Sequence, residues 1–548
     1  MTVKDRASSG IGAGSPSDEW HSINWNKIRC TVRNLRYRIY RASQMQAWNK
    51  VRSLMKLMLR SQANLLLAVR RVTQDNQGKK TAGIDGKTYA SSGDRLRLIK
   101  QMRHYKPWQA RPTRRIYIPK SGNKLRPLGI PTMFDRSVQA MVKSALEPVW
   151  EAKFESNSYG FRPGRSTQDA MVHCWIYLNR KVHHQWVLDA DIKGAFDNIS
   201  HEFILSSIGK LPGYMLIKQW LKAGYFEKGE HYKTAKGTPQ GGIISPLLAN
   251  IALNGIQQIL PGGLGYVRYA DDFVITSRTR EELERFIPSI VNWLVQRGLT
   301  LSESKIRIVF MKQGFNFLGF SVRHYRNGSL LITLQKKKVL EFIQSLRDWI
   351  KSNLSAAPHA LIHYLNPRII GWANYYKAFV SKRVFSYVKE QIWKQLWRWC
   401  LRRHPTKKAT WIKKKYFTVR KGQDWVFFGK EVTSTGIRDV YLKQIHMVPI
   451  KRHIKVKGNF SPDNPILKEY WEKRRYVMTK NRFTEESYRK IAENQNYRCP
   501  ICFGLLSGYE ADILEEMILS RSRVINKGAD APKFYHKSCL AGNRKHIA

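Results

Sequence analysis

Two adjacent carboxylates interrupt an apolar run at Tyr266-Val-Arg-Tyr-Ala-Asp271-Asp272-Phe-Val-Ile275. The simplest geometry for that run is a β-hairpin with the acidic pair at its turn. Like charges held side by side are costly unless a cation neutralises them. Upstream, Trp186-Val-Leu-Asp-Ala-Asp191-Ile-Lys-Gly-Ala-Phe196-Asp197 again runs a short apolar strand into acids. Asp191 is expected where a strand meets a helix, beside the exposed backbone carbonyl of Ile192. Asp191, Asp271 and Asp272, with that carbonyl, could then hold two Mg²⁺ ions, whose chemistry is to activate a 3′-hydroxyl and stabilise a leaving pyrophosphate. Mg²⁺ prefers such oxygen ligands and completes its shell with substrate phosphates. Taken alone, either acidic stretch could equally be a solvent-exposed turn, where Asp is common.

The elements that must position these acids belong to a long, very basic chain. Its 548 residues suggest several domains, and 43% hydrophobic content allows packed cores. Lys and Arg number 96 against 40 Asp and Glu, a net charge of +56. A protein so charged repels itself unless it works against a polyanion, and nucleic acid is the expected one. The 17 Trp, 25 Tyr and 22 Phe can stack on exposed bases, although most such rings are core. The first residues are polar and lack the apolar stretch of a signal peptide. No run approaches the roughly 20 apolar residues of a membrane span. An intracellular, cytoplasmic protein with no membrane partner and no obligate protein partner is expected.

Tyr269-Ala-Asp271-Asp272 resembles the Y-x-D-D box of reverse transcriptases, and Asp191 through Phe196 resembles their first catalytic-aspartate motif. By that resemblance Phe196 is the bulky residue that blocks a ribose 2′-hydroxyl and so selects dNTPs. Further blocks follow in the family's order. Ile118 to Pro131 resembles the fingers segment, with Lys120 and Arg126 as candidate triphosphate clamps. Ser158-Tyr-Gly-Phe-Arg-Pro-Gly-Arg-Ser166 resembles a block typical of group II intron enzymes. Lys236-Gly-Thr-Pro-Gln240-Gly-Gly resembles the loop that positions nucleotide and template, with Gln240 as a hydrogen-bonding contact. Gly298 to Lys305 and Phe317-Leu-Gly-Phe320 resemble the elements behind the catalytic hairpin and the primer grip.

The chain therefore resembles a group II intron-encoded reverse transcriptase and maturase of bacterial type. The resemblance implies a multidomain α+β fold: a right-hand polymerase with fingers and an antiparallel palm sheet, an α-helical basic thumb/maturase domain, and a small zinc-finger-like C-terminal remnant of an HNH endonuclease. Residues 1–24 read as a disordered N-terminus and 25–79 as an N-terminal helical extension. Fingers and palm take 80–335, and the thumb/maturase domain takes 336–456. A DNA-binding linker region containing Ser-Pro-Asp-Asn-Pro (461–465) takes 457–485, and the remnant 486–548. The 336–456 stretch carries 27 Lys and Arg, 6 Asp and Glu, and seven Trp. The implied partners are the parent group II intron RNA, target DNA with its primer, and dNTPs. The implied work is to assist splicing and to copy the intron into DNA by target-primed reverse transcription.

In the tail, Cys499-Pro-Ile-Cys502 and His536-Lys-Ser-Cys539 have tetrahedral zinc spacing. The layout resembles the family's HNH endonuclease, with Cys499, Cys502, His536 and Cys539 as possible Zn²⁺ ligands. Where that family carries a His pair this chain reads Leu514-Glu-Glu-Met-Ile518, and Ala531 and Leu540 replace its Asn and final His. DNA cleavage is expected to be lost. Two rival readings are a splicing-only RNA-binding maturase and an RNA-directed RNA polymerase. Intact Asp191, Asp271, Asp272 and Phe196 argue against the first, since decay strikes unused catalytic residues early. Phe196 argues against the second, because ribonucleotides need space at C2′.

Overall fold

Helical periodicity near the N-terminus builds the first layer. Helix Trp25–Gln44 starts at Asn24, whose side chain accepts a hydrogen bond from Lys27 N–H, and it buries Val32, Leu35 and Ile39 on one face. It packs on helices Trp48–Arg60 and Met133–Glu151. The computed structural model describes residues 19–20, 22–103, 109–120, 124–179, 184–302, 306–433, 436–481, 483, 486–501, 503–506 and 533–536. Among these, no helix is long and apolar enough to cross a membrane.

In chain order the strands are β1 (Thr113–Lys120), β2 (Lys124–Ile130), β3 (Trp186–Asp191), β4 (Tyr225–Glu227), β5 (Glu230–Tyr232), β6 (Gly265–Tyr269), β7 (Asp272–Ser277), β8 (Arg307–Phe310), β9 (Phe315–Phe317), β10 (Phe320–His324), β11 (Leu330–Leu334), β12 (Phe417–Arg420), β13 (Gln423–Thr433) and β14 (Gly436–Tyr441). The sheet that matters for chemistry has the order β6-β7-β3-β8, antiparallel throughout. A second sheet, β2-β1-β4-β5, carries the Ile118–Pro131 block on its β1–β2 hairpin.

The β6-β7-β3-β8 sheet lies between two cores. Leu188 and Ala190 of β3 join the N-terminal helices and helix Arg280–Val295, whereas Val187 joins a cluster that continues into the C-terminal helices. Strand residues point alternately to opposite faces, so a strand buried on both reads as a continuous apolar run broken only by its acids.

Beyond β11, helices Lys336–Ser352, Pro358–Tyr376 and Lys382–Arg403 form the basic region. Its aromatics pack as expected: Trp372 stacks on Phe342 at 4.6 Å, and the Tyr375 hydroxyl donates to the Leu318 carbonyl at 2.9 Å. Two expectations need correction. The thumb/maturase stretch is not wholly helical, because β12, β13 and β14 form a three-stranded antiparallel sheet. Its Trp425-Val-Phe-Phe run and β-branched Val432, Ile437 and Val440 favour a pleated surface. The Ser-Pro-Asp-Asn-Pro segment is also no free linker. Asp463 is buried against helix Trp25–Gln44, where both its oxygens accept from the Arg36 guanidinium at 2.7 Å. The following helix, Lys468–Lys480, lays Trp471 over Gly164, where an added Cβ would come within 2.6 Å of the indole.

Candidate active site

The register of β3 on β7 places Asp191 directly opposite Asp272. Directly opposed residues of antiparallel strands share a face, with Cβ atoms about 4.5–5.5 Å apart. Two carboxylates distant in sequence thus project from one spot. The turn joining β6 to β7 is Ala270-Asp271, with Tyr269 paired to Asp272 across its base, so the third acid stands at the tip beside the other two. Asp191 and Asp271 are half-buried and Asp272 is exposed.

This turn is strained and braced. Ala270 has φ +59°, a left-handed conformation that costs an L-residue about 1–2 kcal/mol. Arg268, only 1% exposed inside an apolar strand, donates from Nη1 to the Ala270 carbonyl at 3.0 Å and to Asn250 Oδ1 at 3.1 Å. Asn250 Nδ2 donates in turn to the Gly160 carbonyl at 2.8 Å. The Arg268 backbone pairs on its outer side with Asn157 and Tyr159, both bonds at 2.9 Å. The block from Ser158 to Ser166 therefore acts as a splint for the acidic turn. Sequence reasoning missed Arg268 and Asn250; the available signal was an arginine within a strand too apolar to leave it unpartnered.

The remaining acids of the β3 motif have other work. Asp189 sits opposite Arg307 on β8, with Nη2 and Oδ2 3.7 Å apart. Beyond Asp191 the chain makes an isolated bridge, Ile192 to Leu301, in which Ser302 N–H donates to the Asp191 carbonyl at 2.9 Å and Lys193 N–H to the Thr300 carbonyl at 3.0 Å. The Ile192 carbonyl takes no part in that bridge.

Gly194, at φ +55°, starts the four-residue helix Ala195–Asn198 that carries Phe196, half-buried and edge-on to Phe161 at 6.0 Å. The glycine-rich loop is pinned to this helix. Thr238 N–H donates to the Phe196 carbonyl at 2.7 Å, and a Cβ on Gly237 would come within 2.5 Å of the Asp197 carbonyl oxygen. Gln240 Nε2 donates to the Asp197 carboxylate at 3.2 and 3.3 Å, so its side chain is parked on protein. Arg126, exposed on β2, lies within electrostatic reach of the same Asp197. Lys120 closes β1 at the hairpin tip opposite Lys124; its side chain lies outside the described residues. Phe196, Gln240, Arg126, Asp191, Asp271 and Asp272 thus come from separate segments to one region.

The donor set suits Mg²⁺. Among the described residues no three His, Cys, Asp or Glu side chains converge tightly enough to hold a metal unaided, so the three acids are not a preformed cage. Mg²⁺ is usually held by one or two carboxylates plus water and substrate phosphates, which an opposed Asp191 and Asp272 beside Asp271 can provide.

Family models match the chain in three consecutive stretches. Residues 20–102 match the N-terminal domain of reverse transcriptase, 118–322 match reverse transcriptase (RNA-dependent DNA polymerase), and 339–417 match the group II intron maturase-specific domain. Protein YkfC of Escherichia coli is 32% identical over 53% of this chain and 89% of its own length. The group II intron-encoded protein LtrA of Lactococcus lactis is 32% identical over 50% of this chain and 58% of its own. This chain belongs to the group II intron reverse transcriptase–maturase family.

Maturase-like protein 1 of Euglena gracilis is also similar to this reverse transcriptase, at 25% identity over 67% of this chain and 82% of its own length. The reverse transcriptase spans somewhat more than half the length of LtrA.

Its tail is described only in part. Cys499 is buried in a small apolar cluster with Phe483, Tyr497, Leu506 and Phe534, and His536 Nε2 lies 3.1 Å from the Leu505 carbonyl oxygen. Cys502, Cys539, Leu514 to Ile518, Ala531 and Leu540 lie outside the described residues.

Proposed function

We propose that this reverse transcriptase is an active RNA-directed DNA polymerase that also serves as the maturase of its parent group II intron. It binds the intron RNA, assists its splicing and copies it into DNA from a DNA 3′ end at a target site. The single observation that carries the polymerase is the placement of Asp191 across from Asp272, beside Asp271 on a braced turn.

In this reading Asp191, Asp271, Asp272 and the Ile192 carbonyl hold Mg²⁺. When bound, the ions supply activation of the primer hydroxyl and charge neutralisation at the leaving pyrophosphate. Lys120 and Arg126 on the fingers hairpin bind the triphosphate, the Arg fork matching phosphate oxygens two at a time. The Phe196 ring packs against C2′ and leaves no room for a hydroxyl there. Gln240 exchanges its contact with Asp197 for one with substrate. The basic faces of the 336–456 region grip RNA phosphates. The protein works in the bacterial cytoplasm, where the intron is transcribed. Its C-terminal remnant no longer cuts DNA, so insertion draws on another primer, such as a nascent strand at a replication fork; cutting of the bottom strand of target DNA by the purified ribonucleoprotein sinks this last point.

The test is dNTP incorporation on an RNA template annealed to a DNA primer, with Mg²⁺, beside an Asp271→Ala control. Incorporation that vanishes in the variant supports the polymerase. No incorporation by either protein, with intron RNA still bound, favours a splicing-only maturase.

A further inference from the structure

Helix Lys382–Arg403 and the β12–β14 sheet enclose a cavity of about 460 Å³ that plays no part in the polymerase site. Its size falls in the range of small-ligand pockets. Trp393, Trp425 and Phe417 supply aromatic wall, and Lys389, Lys443 and Asp424 stand among its lining residues.

Two features set this cavity apart from a packing defect. The Trp393 indole N–H is buried with no acceptor, and a buried donor left unpaired is rare and costly. Trp425 has φ +60°, a left-handed backbone inside β13, next to the register shift between Thr418 and Arg420 of β12. For a bulky residue that conformation is an outlier, and such strain persists only where surrounding structure enforces it. Here it stands the Trp425 ring nearly perpendicular to Trp393, at 86° and 5.6 Å, and to Trp397, at 79° and 5.4 Å. The residue with the unpaired donor and the strained residue both line this cavity.

We propose that this cavity captures a single unpaired nucleobase of an RNA strand. A nucleobase is flat enough to lie on an indole, offers ring nitrogens or carbonyl oxygens to the Trp393 N–H, and offers N–H groups to a carboxylate such as Asp424. Extruded bases are the usual targets of sequence-specific RNA recognition, stacked on aromatic rings and read along their edges. Charge favours RNA over an apolar protein segment. The 336–456 region carries 27 Lys and Arg against 6 Asp and Glu, a net +21. Lys413 Nζ sits 4.6 Å over the Trp425 ring, and Lys389 and Lys443 in the lining add positive charge suited to flanking phosphates. Glu390, the other acid of the lining, is paired with Lys394 at 2.6 Å.

The inference rests on the RNA-binding role proposed above, and its test separates the two. Full-length protein is titrated with an RNA hairpin holding one bulged nucleotide, in four versions, and with the fully paired hairpin. Stacking of one base predicts at least one bulged hairpin binding roughly tenfold tighter than the paired one. Trp393→Phe, which keeps an aromatic ring but removes the N–H, and Trp425→Leu should each erase most of that preference. Affinity for the paired hairpin and dNTP incorporation should stay unchanged in both. Equal binding of bulged and paired hairpins overturns the base pocket and leaves RNA binding intact. A preference untouched by both substitutions overturns it too, and leaves the cavity to an apolar side chain of a protein. Failure to bind any hairpin overturns the RNA-binding role, and the pocket with it.

Discussion

Gly160 lies so close to Ala270 that a Cβ on the glycine would come within 2.3 Å of the Ala270 nitrogen. The contact is backbone on backbone, so no side chain can swing aside. Gly160→Ala must push the turn carrying Asp271 away from Asp191. A displacement of about 1 Å at a catalytic group can cost on the order of 100-fold in rate. We expect dNTP incorporation to fall by roughly that factor with the thermal unfolding midpoint little changed, and activity within twofold of the parent refutes the splint.

Phe196 stands on a short helix whose backbone is tied to the glycine-rich loop, with Phe161 edge-on behind it. The ring's place is therefore fixed from two sides. Phe196→Ala should open space at C2′ and admit ribonucleotides, raising rNTP relative to dNTP incorporation by roughly tenfold or more, on the scale of a single steric discrimination. Single-turnover incorporation with matched dNTP and rNTP reads the ratio; an unchanged ratio removes Phe196 from sugar selection.

Asp169 joins the polymerase to the segment that follows the thumb. Burial alone would raise its pKa, but hydrogen bonds from His453 and Ser166 and the charge of Arg474 outweigh that and hold it at about 2. A carboxyl whose folded pKa lies below its unfolded value near 3.8 stabilises the fold above that value, and the benefit fades as pH falls toward about 2. The contribution is about 2 kcal/mol for a side chain this buried. Urea midpoints measured from pH 5 to pH 3 should fall more steeply for the parent than for Asp169→Asn. Equal slopes contradict the assignment.

Arg36 bridges Asp463 at 2.7 Å and Glu147 at 2.9 Å, all three side chains at most 12% exposed. Removing the cation leaves the buried Asp463 carboxylate without its partner, while Glu147 keeps Lys143 at 3.6 Å, a loss of about 3–5 kcal/mol. Arg36→Ala should unfold several degrees lower. Burial holds Asp463 up at about 6 even beside Arg36. A raised carboxyl pKa means stability that is present at low pH and lost as pH rises through that value, so the variant's deficit should be larger at pH 8 than at pH 5. A deficit that grows toward pH 5 excludes this account.

Much of the placement of the three acids was legible because strand and turn chemistry are local. The acidic pair interrupting an apolar run placed Asp271 at a hairpin tip, and the end of another such run placed Asp191 at a strand terminus. What brings Asp191 against Asp272 is register between distant strands, and here only the resemblance to reverse transcriptases paired the two motifs. The sheet at 417–441 was overlooked because Arg420, Asp424, Lys430, Glu431 and Arg438 within its strands break the apolar pattern. The burial of Asp463 was not legible either. A Pro-rich acidic pentapeptide reads as a solvated connection, and only its partner Arg36, far along the chain, makes it structural.

That last pairing gives the fold a history. Arg36 and Asp463 are 427 positions apart, and at about 5–20 residues per second a ribosome needs roughly 20 to 85 s to make the intervening chain. Throughout that interval helix Trp25–Gln44 lacks its closing partner, and the strands that carry Asp191, Asp271 and Asp272 are made before that partner is. The clasp between Arg36 and Asp463 is therefore the closing step of this part of the fold and not its nucleus.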